Sequence, residues 1–193
     1  MKLFKKTLFL LGLTSSKEIV RRYFVVNGFD GALTMLGLIL GFLLNNPTNL
    51  SMVMNVCLGA AIALGMSGVS SAYVSEYAER QHALGKLENA MIRDLQDSAH
   101  GKAARWTPII VALVNGSAPL LISLLILSPL WASAAGLSSP LQPLHSAIII
   151  AMLLIFLLGV FLGRIAGISW LRSGIQTLLV ATITAMLIYL FAG

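Results

Sequence analysis

Charged residues are scarce in this chain. Only 10% of its 193 residues are charged, whereas 58% are hydrophobic and the mean hydropathy is +0.89. Soluble globular domains do not carry so large an apolar fraction. The composition therefore excludes a soluble protein and predicts an integral membrane protein, and the length suits one compact bundle of helices.

Cysteine and histidine are also nearly absent. Cys57 is the single cysteine and lies in an apolar run, which excludes a disulfide framework and a thiolate metal cluster. Three histidines are present, but no HExxH, GxSxG or CxxC motif occurs. The glycine-rich stretches lie inside apolar runs and lack the phosphate-binding spacing. We therefore expect no enzymatic activity and no permanently bound cofactor.

The apolar runs predict an all-α integral membrane protein with five transmembrane helices. The predicted spans are 19–44, 50–78, 106–130, 145–163 and 175–191. Residues 1–18 begin with a basic, amphipathic stretch, which predicts a cytosolic helix lying on the membrane surface. A signal peptide is the alternative for this stretch.

Most of the charge in the chain lies between spans two and three, in residues 79–105. This segment predicts a short cytosolic helical hairpin with a break near Gly85. The predicted organisation is thus an N-terminal helix (1–18), transmembrane helices 1–2 (19–78), a cytosolic metal-binding segment (79–105) and transmembrane helices 3–5 (106–193).

The basic residues predict the orientation in the membrane. All 13 Lys and Arg residues fall before span one, between spans two and three, or between spans four and five. The positive-inside rule therefore places the N-terminus in the cytosol and the C-terminus outside. Topology accounts for the net charge of +6, so the expected partner is the lipid bilayer and not nucleic acid.

Asp30 is the only acid deep within any predicted span. It shares one helix face with Asn27 and Thr34, which are three and four residues away. A carboxylate in a membrane span is costly and generally marks an ion or proton path, although a hydrogen bond between helices is the alternative. Gly37 and Gly41 have the GxxxG spacing that favours close helix contact, which predicts a homodimer with span one near the interface.

Polar groups on two other spans lie at a similar predicted depth. On a rise of about 1.5 Å per residue, Asp30 lies about 12 Å and Asn115 about 15 Å from the basic end of its own span. Ser70 and Ser71 lie about 14 Å from theirs. Pro119 has no N–H to donate to the carbonyl of Asn115. Such oxygen ligands suit a divalent cation such as Mn²⁺ or Fe²⁺.

Two acidic helix faces lie in and beside the segment 79–105. Each repeats every three residues and so lines one side of a helix. The first face comprises Glu76, Glu79 and His82, and the second comprises Glu88, Met91, Asp94 and Asp97. Together they predict a cluster that collects metal ions, and a solvated charged helix is the alternative. Met66 in span two would add a thioether to the path, although a lone methionine more often packs.

Three stretches resemble the vacuolar iron transporter family, especially its short prokaryotic branch. They are RRYFVVNGFDGALTMLGLILGF (21–42), SGVSSAYVSEYAERQ (67–81) and LENAMIRDL (87–95). The resemblance implies a homodimeric five-span bundle that moves Fe²⁺, and often Mn²⁺, out of the cytosol in exchange for protons. It also implies a prokaryotic plasma membrane as the location.

The resemblance assigns site residues position by position. The family's first-span Asp-Gly pair matches Asp30 and Gly31, and its cytosolic Glu/Met cluster matches Glu79, Glu88 and Met91, with Asp94 beside them. The family usually has a Met and a Glu shortly before its YVS triplet. This chain has Gly68 and Ala72 at those positions.

The sequence therefore predicts a transporter that exports Fe²⁺ or Mn²⁺ by proton antiport, with Asp30 as the proton-coupling residue because metal and proton compete for one carboxylate. The predicted metal ligands are Asp30, Glu76, Glu79, Glu88, Met91, Asp94 and Asn115. The predicted polar path comprises Asn27, Thr34, Met66, Ser70 and Ser71. The alternative is a non-transporting membrane metal sensor or scaffold that acts through residues 79–105.

Overall fold

A computed structural model describes residues 16–46, 49–137 and 140–192, and the regular secondary structure in these ranges is entirely α-helical. Within them, five helices are long and apolar enough to cross a membrane. They are α1 (Ser16–Leu44), α2 (Leu50–Met91), α3 (Ala99–Ala134), α4 (Pro143–Ala166) and α5 (Trp170–Ala192). The predicted all-α class and the five spans are confirmed at this level. The predicted surface helix at 1–18 lies outside the described residues, except that 16–18 belong to α1.

The end of α2 differs from the prediction. The helix continues through Gly85 to Met91, so the predicted break near Gly85 is wrong. A single helical glycine costs only about 1 kcal/mol, and the Ala, Leu and Lys residues around it favour helix. The helix stops where Ile92 adopts a left-handed conformation (φ 51°) and the Arg93 N–H donates to the Glu88 carbonyl at 3.2 Å, as in a Schellman motif.

Residues 92–98 form a compact turn instead of part of a second cytosolic helix. The Glu88 carboxylate accepts hydrogen bonds from the Leu95 N–H at 3.0 Å and the Gln96 side-chain amide at 3.4 Å. The Ser98 hydroxyl caps α3 by accepting from two N–H groups of its first turn. Gly101 leaves no room for a Cβ beside the Gln96 carbonyl. The turn therefore returns directly onto the start of α3, where an apolar cluster closes it: Leu84, Leu87, Leu95 and Ala104.

The chain divides into two compact units. The first unit comprises the described residues up to Phe24 together with Gly65–Ser117. Its centre is a close approach of α2 and α3, where a Cβ on Gly116 would collide with Val69 and with the Gly65 backbone. The Asn115 side-chain amide donates to the Gly68 carbonyl at 2.7 Å. Small residues and one interhelical hydrogen bond are how membrane helices commonly associate, because lipid supplies no hydrophobic force between them.

The second unit comprises Val25–Leu64 and the residues from Ala118 onwards. Its core is apolar and includes Met35, Leu36, Ile39, Val53, Ile126, Leu127, Leu130 and Ile155. Gly31 lies against Pro119, since a Cβ on Gly31 would be 2.7 Å from the Pro119 Cα. Further along α3, the Ser128 hydroxyl donates at 2.7 Å to the Leu125 carbonyl. Pro129 has no N–H and so cannot make the usual helical hydrogen bond to that carbonyl.

Helices α4 and α5 pack through small residues. A Cβ on Gly159 would collide with the Thr177 hydroxyl, and one on Gly163 would lie 2.7 Å from the Ser173 Cβ. The Thr177 hydroxyl also donates to the Ile155 carbonyl at 3.1 Å. Gly159 and Gly163 are therefore the positions at which α4 approaches α5 most closely. Gly167 instead ends α4 in a left-handed conformation (φ 69°).

One of two stripes of small residues on α2 is exposed. Ser67, Ser71 and Ser75 are exposed, as is Ala63. The packed face lies beside it and contains Gly65, Gly68 and Ala72. Periodicity alone cannot separate two neighbouring stripes of small residues, because both satisfy the same i, i+4 spacing.

We expect Gly159→Ala to lower the free energy of unfolding by about 1–3 kcal/mol, because the added methyl meets Thr177 and the Ser173 carbonyl. Gly59→Ala is the matched control, since its Cβ would meet no atom within 4 Å. It should be neutral or stabilising by about 0.5–1 kcal/mol. Thermal unfolding of both variants in detergent measures the difference. Equal stabilities for the two variants would contradict the close α4–α5 contact.

Candidate functional site

Asp30 lies at the centre of α1, fourteen residues after Ser16 and fourteen before Leu44. At about 1.5 Å per residue, each end of the helix is about 21 Å away. The Asp30 side chain is exposed, and it forms no hydrogen bond or ion pair with any described residue. A carboxylate without a partner therefore lies in the middle of a helix that is apolar enough to span a membrane.

The surroundings of Asp30 combine a polar stripe with a close helix contact. Asn27 and Thr34, the predicted path residues on this face, are half-buried, and Val26 is 51% exposed one turn before Asp30. Gly31, the next residue, carries the contact with Pro119 of α3. The Asp-Gly pair thus places a carboxylate on the exposed side of α1 and a helix contact on the side next to it.

The predicted oxygen ligands on α2 and α3 already have hydrogen-bond partners. The Ser70 hydroxyl donates to the Met66 carbonyl at 2.8 Å and that of Ser71 to the Gly68 carbonyl at 3.4 Å. The amide of Asn115, which is buried, holds the α2–α3 contact. Met66 is exposed. The roles of these residues as ligands or path residues stay predictions.

Two positions that differ from the resembled family have a packing role here. A Cβ on Gly68 would lie 3.1 Å from the Gly116 Cα and 3.2 Å from the Asn115 carbonyl oxygen. Ala72 is buried in an apolar cluster with Val111 and Ala112. Side chains as large as Met and Glu do not fit between α2 and α3 at these positions without moving the helices apart.

Glu76 is nearly inaccessible in the structure. Its residue surface is only 3% exposed, and its carboxylate pairs with the Arg80 guanidinium at 3.2 Å, one turn along α2. The predicted metal ligand therefore already has a cationic partner on the same helix. In the sequence Arg80 stands out only as a topology signal, although the i, i+4 spacing of Glu76 and Arg80 is visible there.

A buried hydroxyl lies level with this ion pair. Helices α2 and α3 run antiparallel, with Gly68 against Asn115 and Gly116, and Ala72 in one cluster with Val111 and Ala112. The next turn of this register places Thr107 level with Glu76. The Thr107 hydroxyl is fully buried and has no hydrogen-bond partner in the described part of the chain.

The ligand candidates within residues 79–105 are not brought together. Glu79 and Met91 are exposed, Glu88 holds the turn, and an Asp94 oxygen accepts from the Gln96 N–H at 2.8 Å. Over residues 16–46, 49–137 and 140–192, no three His, Cys, Asp or Glu side chains are placed to hold one metal ion. While the helices keep this arrangement, a metal site at these residues would need further ligands from outside the chain.

The chain is similar to a protein of Methanocaldococcus jannaschii described as "Uncharacterized protein MJ0645". The two are 28% identical over 180 residues, which cover 92% of this chain and 91% of the relative. No family model matches the chain, and no solved structure gives a significant match. The comparisons thus leave the vacuolar iron transporter resemblance a prediction.

We expect Arg80→Gln to destabilise the protein by about 3 kcal/mol, because it leaves the buried Glu76 carboxylate without its cation. The double variant Glu76→Gln/Arg80→Gln removes both charges and should be clearly more stable than Arg80→Gln alone. Lys86→Gln, on an exposed residue of the same helix, is the control and should change little. Unfolding of these variants and of Glu76→Gln in detergent gives the coupling, and strictly additive losses would show that the pair contributes no interaction energy.

Proposed function

We propose that this protein is a divalent-metal/proton antiporter that exports Fe²⁺ or Mn²⁺ from the cytosol. The observation that carries the proposal is Asp30, an exposed and unpartnered carboxylate at the centre of an apolar helix. The resemblance of residues 20–95 to vacuolar iron transporters supports the choice of metal. The distribution of Lys and Arg supports a cytosolic N-terminus, and the direction of export follows from the family resemblance.

The chemistry of antiport requires one group that proton and metal both use. A carboxylate binds a divalent cation only after it loses its proton, so metal binding releases a proton and protonation releases the metal. Exposure of Asp30 to hydrocarbon would be costly, which favours a water-filled path or a protein partner beside it. A water-filled path would give the carboxylate access to ions.

A second copy of the chain would complete the site. A single chain gathers no three metal-binding side chains among its described residues, and Asp30 faces outwards from it. Most oligomers have two-fold symmetry, in which one patch contacts its own copy. A homodimer formed through the Asp30 face of α1 would therefore bring two carboxylates to one path.

The alternative function is a non-transporting sensor or scaffold that acts through residues 79–105. Two exposed apolar residues at the end of α2, Met91 and Ile92, favour it, because Ile92 is 94% exposed in a left-handed backbone conformation that isoleucine rarely adopts. A scaffold does not need a carboxylate at the centre of α1. Loss of Asp30 should therefore abolish transport but leave a scaffold intact.

We expect Asp30→Asn to insert and fold normally but to abolish proton-coupled metal flux, because the amide keeps the shape and loses both the charge and the titration. Asp30→Glu should retain part of the flux. Proteoliposomes containing a metal indicator and a pH dye report Fe²⁺, Mn²⁺, Zn²⁺ and Ca²⁺ transport. Glu18→Gln is the control on the same helix, since Glu18 is exposed in the first turn. Wild-type flux with unchanged pH dependence in Asp30→Asn would favour the scaffold.

We expect a cysteine at Val26 to form a disulfide-linked dimer in native membranes, because Val26 is exposed on the same face as Asp30. Gly37 suits this test less well, since its Cβ would point at Ile188 of α5, 3.5 Å away. The background variant is Cys57→Ala, which removes the buried native thiol. A cysteine at Leu153, equally exposed on α4, is the control. Cross-linking at Leu153 but not at Val26 would contradict this dimer.

A further inference from the structure

The connection between α4 and α5 is a three-residue turn, residues 167–169. Gly167 caps α4 in a left-handed conformation, and the N–H groups of Gly167 and Ile168 both donate to the Gly163 carbonyl. The Ser173 N–H donates to the Ser169 carbonyl at 3.1 Å, so α5 is hydrogen-bonded from its start. The residues around this turn are therefore held in fixed positions at one end of two helices that are apolar enough to span a membrane.

Apolar and cationic side chains share the surface of this turn. Ile168 and Trp170 are each 51% exposed and Leu171 is 47% exposed. Arg164, in the last turn of α4, and Arg172, in the first turn of α5, are also exposed. Exposed isoleucine, leucine and tryptophan are unfavourable in water, whereas the boundary between hydrocarbon and headgroups suits both kinds of side chain.

The two arginines have no anionic partner in the protein. Neither forms an ion pair with a described residue. The second unit contains only one acidic residue, Asp30, and the sequence has no acidic residue after Asp97. Arg164 and Arg172 are therefore open to an anion from outside the chain. A guanidinium binds phosphate with two parallel hydrogen bonds, which makes arginine a better phosphate ligand than lysine.

We propose that the turn between α4 and α5, with its two flanking arginines, binds the headgroup of an anionic phospholipid. Arg164 and Arg172 contact the phosphate region, while Ile168, Trp170 and Leu171 enter the adjoining apolar layer. Charge complementarity favours an anionic lipid over a zwitterionic one, because the turn has two unpaired arginines and no carboxylate. The proposal requires only that α4 and α5 span a membrane, so it stands or falls independently of metal transport.

Quenching of Trp170 fluorescence by brominated lipids tests the proposal directly. Trp106 and Trp131 are replaced by Phe, and the full-length protein is placed in phosphatidylcholine vesicles containing a small fraction of brominated lipid. We expect brominated phosphatidylglycerol to be preferred over brominated phosphatidylcholine by roughly tenfold, from two basic side chains acting on one anionic headgroup. Equal quenching by the two lipids would reduce the turn to an unselective anchor and overturn the proposal.

Two further measurements assign the preference to the arginines and to lipid. The double variant Arg164→Gln/Arg172→Gln should be quenched about equally by the two lipids, and its thermal unfolding in pure phosphatidylcholine should be unchanged. The control is Lys86→Gln/Arg93→Gln, which removes two exposed charges elsewhere and should keep the preference for phosphatidylglycerol. A full preference in the first double variant would overturn the proposal. Inorganic phosphate should not abolish the preference at physiological ionic strength. If phosphate alone displaces the brominated lipid, the site takes a free anion and the lipid assignment is wrong.

Discussion

The hydrocarbon of a membrane offers no hydrogen bonds, so a chain that crosses it must satisfy its own polar groups. This constraint explains what the hydroxyl groups of the spanning helices do. The Ser70, Thr182 and Thr184 hydroxyls donate to carbonyls of their own helices. The Ser128 hydroxyl donates to the Leu125 carbonyl, because Pro129 has no N–H to donate to it. Because such groups are engaged locally, they add little polarity to the outer surface. The buried Thr107 and Ser123 hydroxyls, which have no partner among the described residues, depart from this pattern. The exposed carboxylate at the centre of α1 departs from it further, because it is an acid, and it requires a function or a partner.

The hydrocarbon of the membrane also determines how the helices associate. Apolar side chains gain little from leaving lipid for protein, so close backbone approach and interhelical hydrogen bonds must hold the bundle. Gly31 against Pro119, Gly116 against Val69 and Gly159 against Thr177 are such approaches. They also limit the chemistry available at the packed faces. At Gly68 the α3 backbone occupies the space that a ligating side chain would need, so the proposed transport has to use groups on other faces.

The sequence predicted the spans well, because about 20 consecutive apolar residues are required whatever the tertiary structure. The predicted helix break near Gly85 was wrong, because one glycine inside a helix costs only about 1 kcal/mol. Packing among Leu84, Leu95 and Ala104 depends on contacts that no local pattern contains. The sequence also identified Asp30 as the acid deep within a span. It could not show that Glu76 is buried beside Arg80, because the i, i+4 spacing is the same for exposed and buried pairs.

The acids of the candidate site differ in what they would lose on binding a cation. Glu76 would have to give up Arg80 in a buried setting, where breaking an ion pair is costly. Glu88 would have to release the Leu95 N–H, and the turn after α2 would lose a hydrogen bond that fixes it. Asp30 gives up no such contact in one chain. A cation at Asp30 would therefore displace no contact among the described residues, whereas a cation at Glu76 or Glu88 would require a rearrangement.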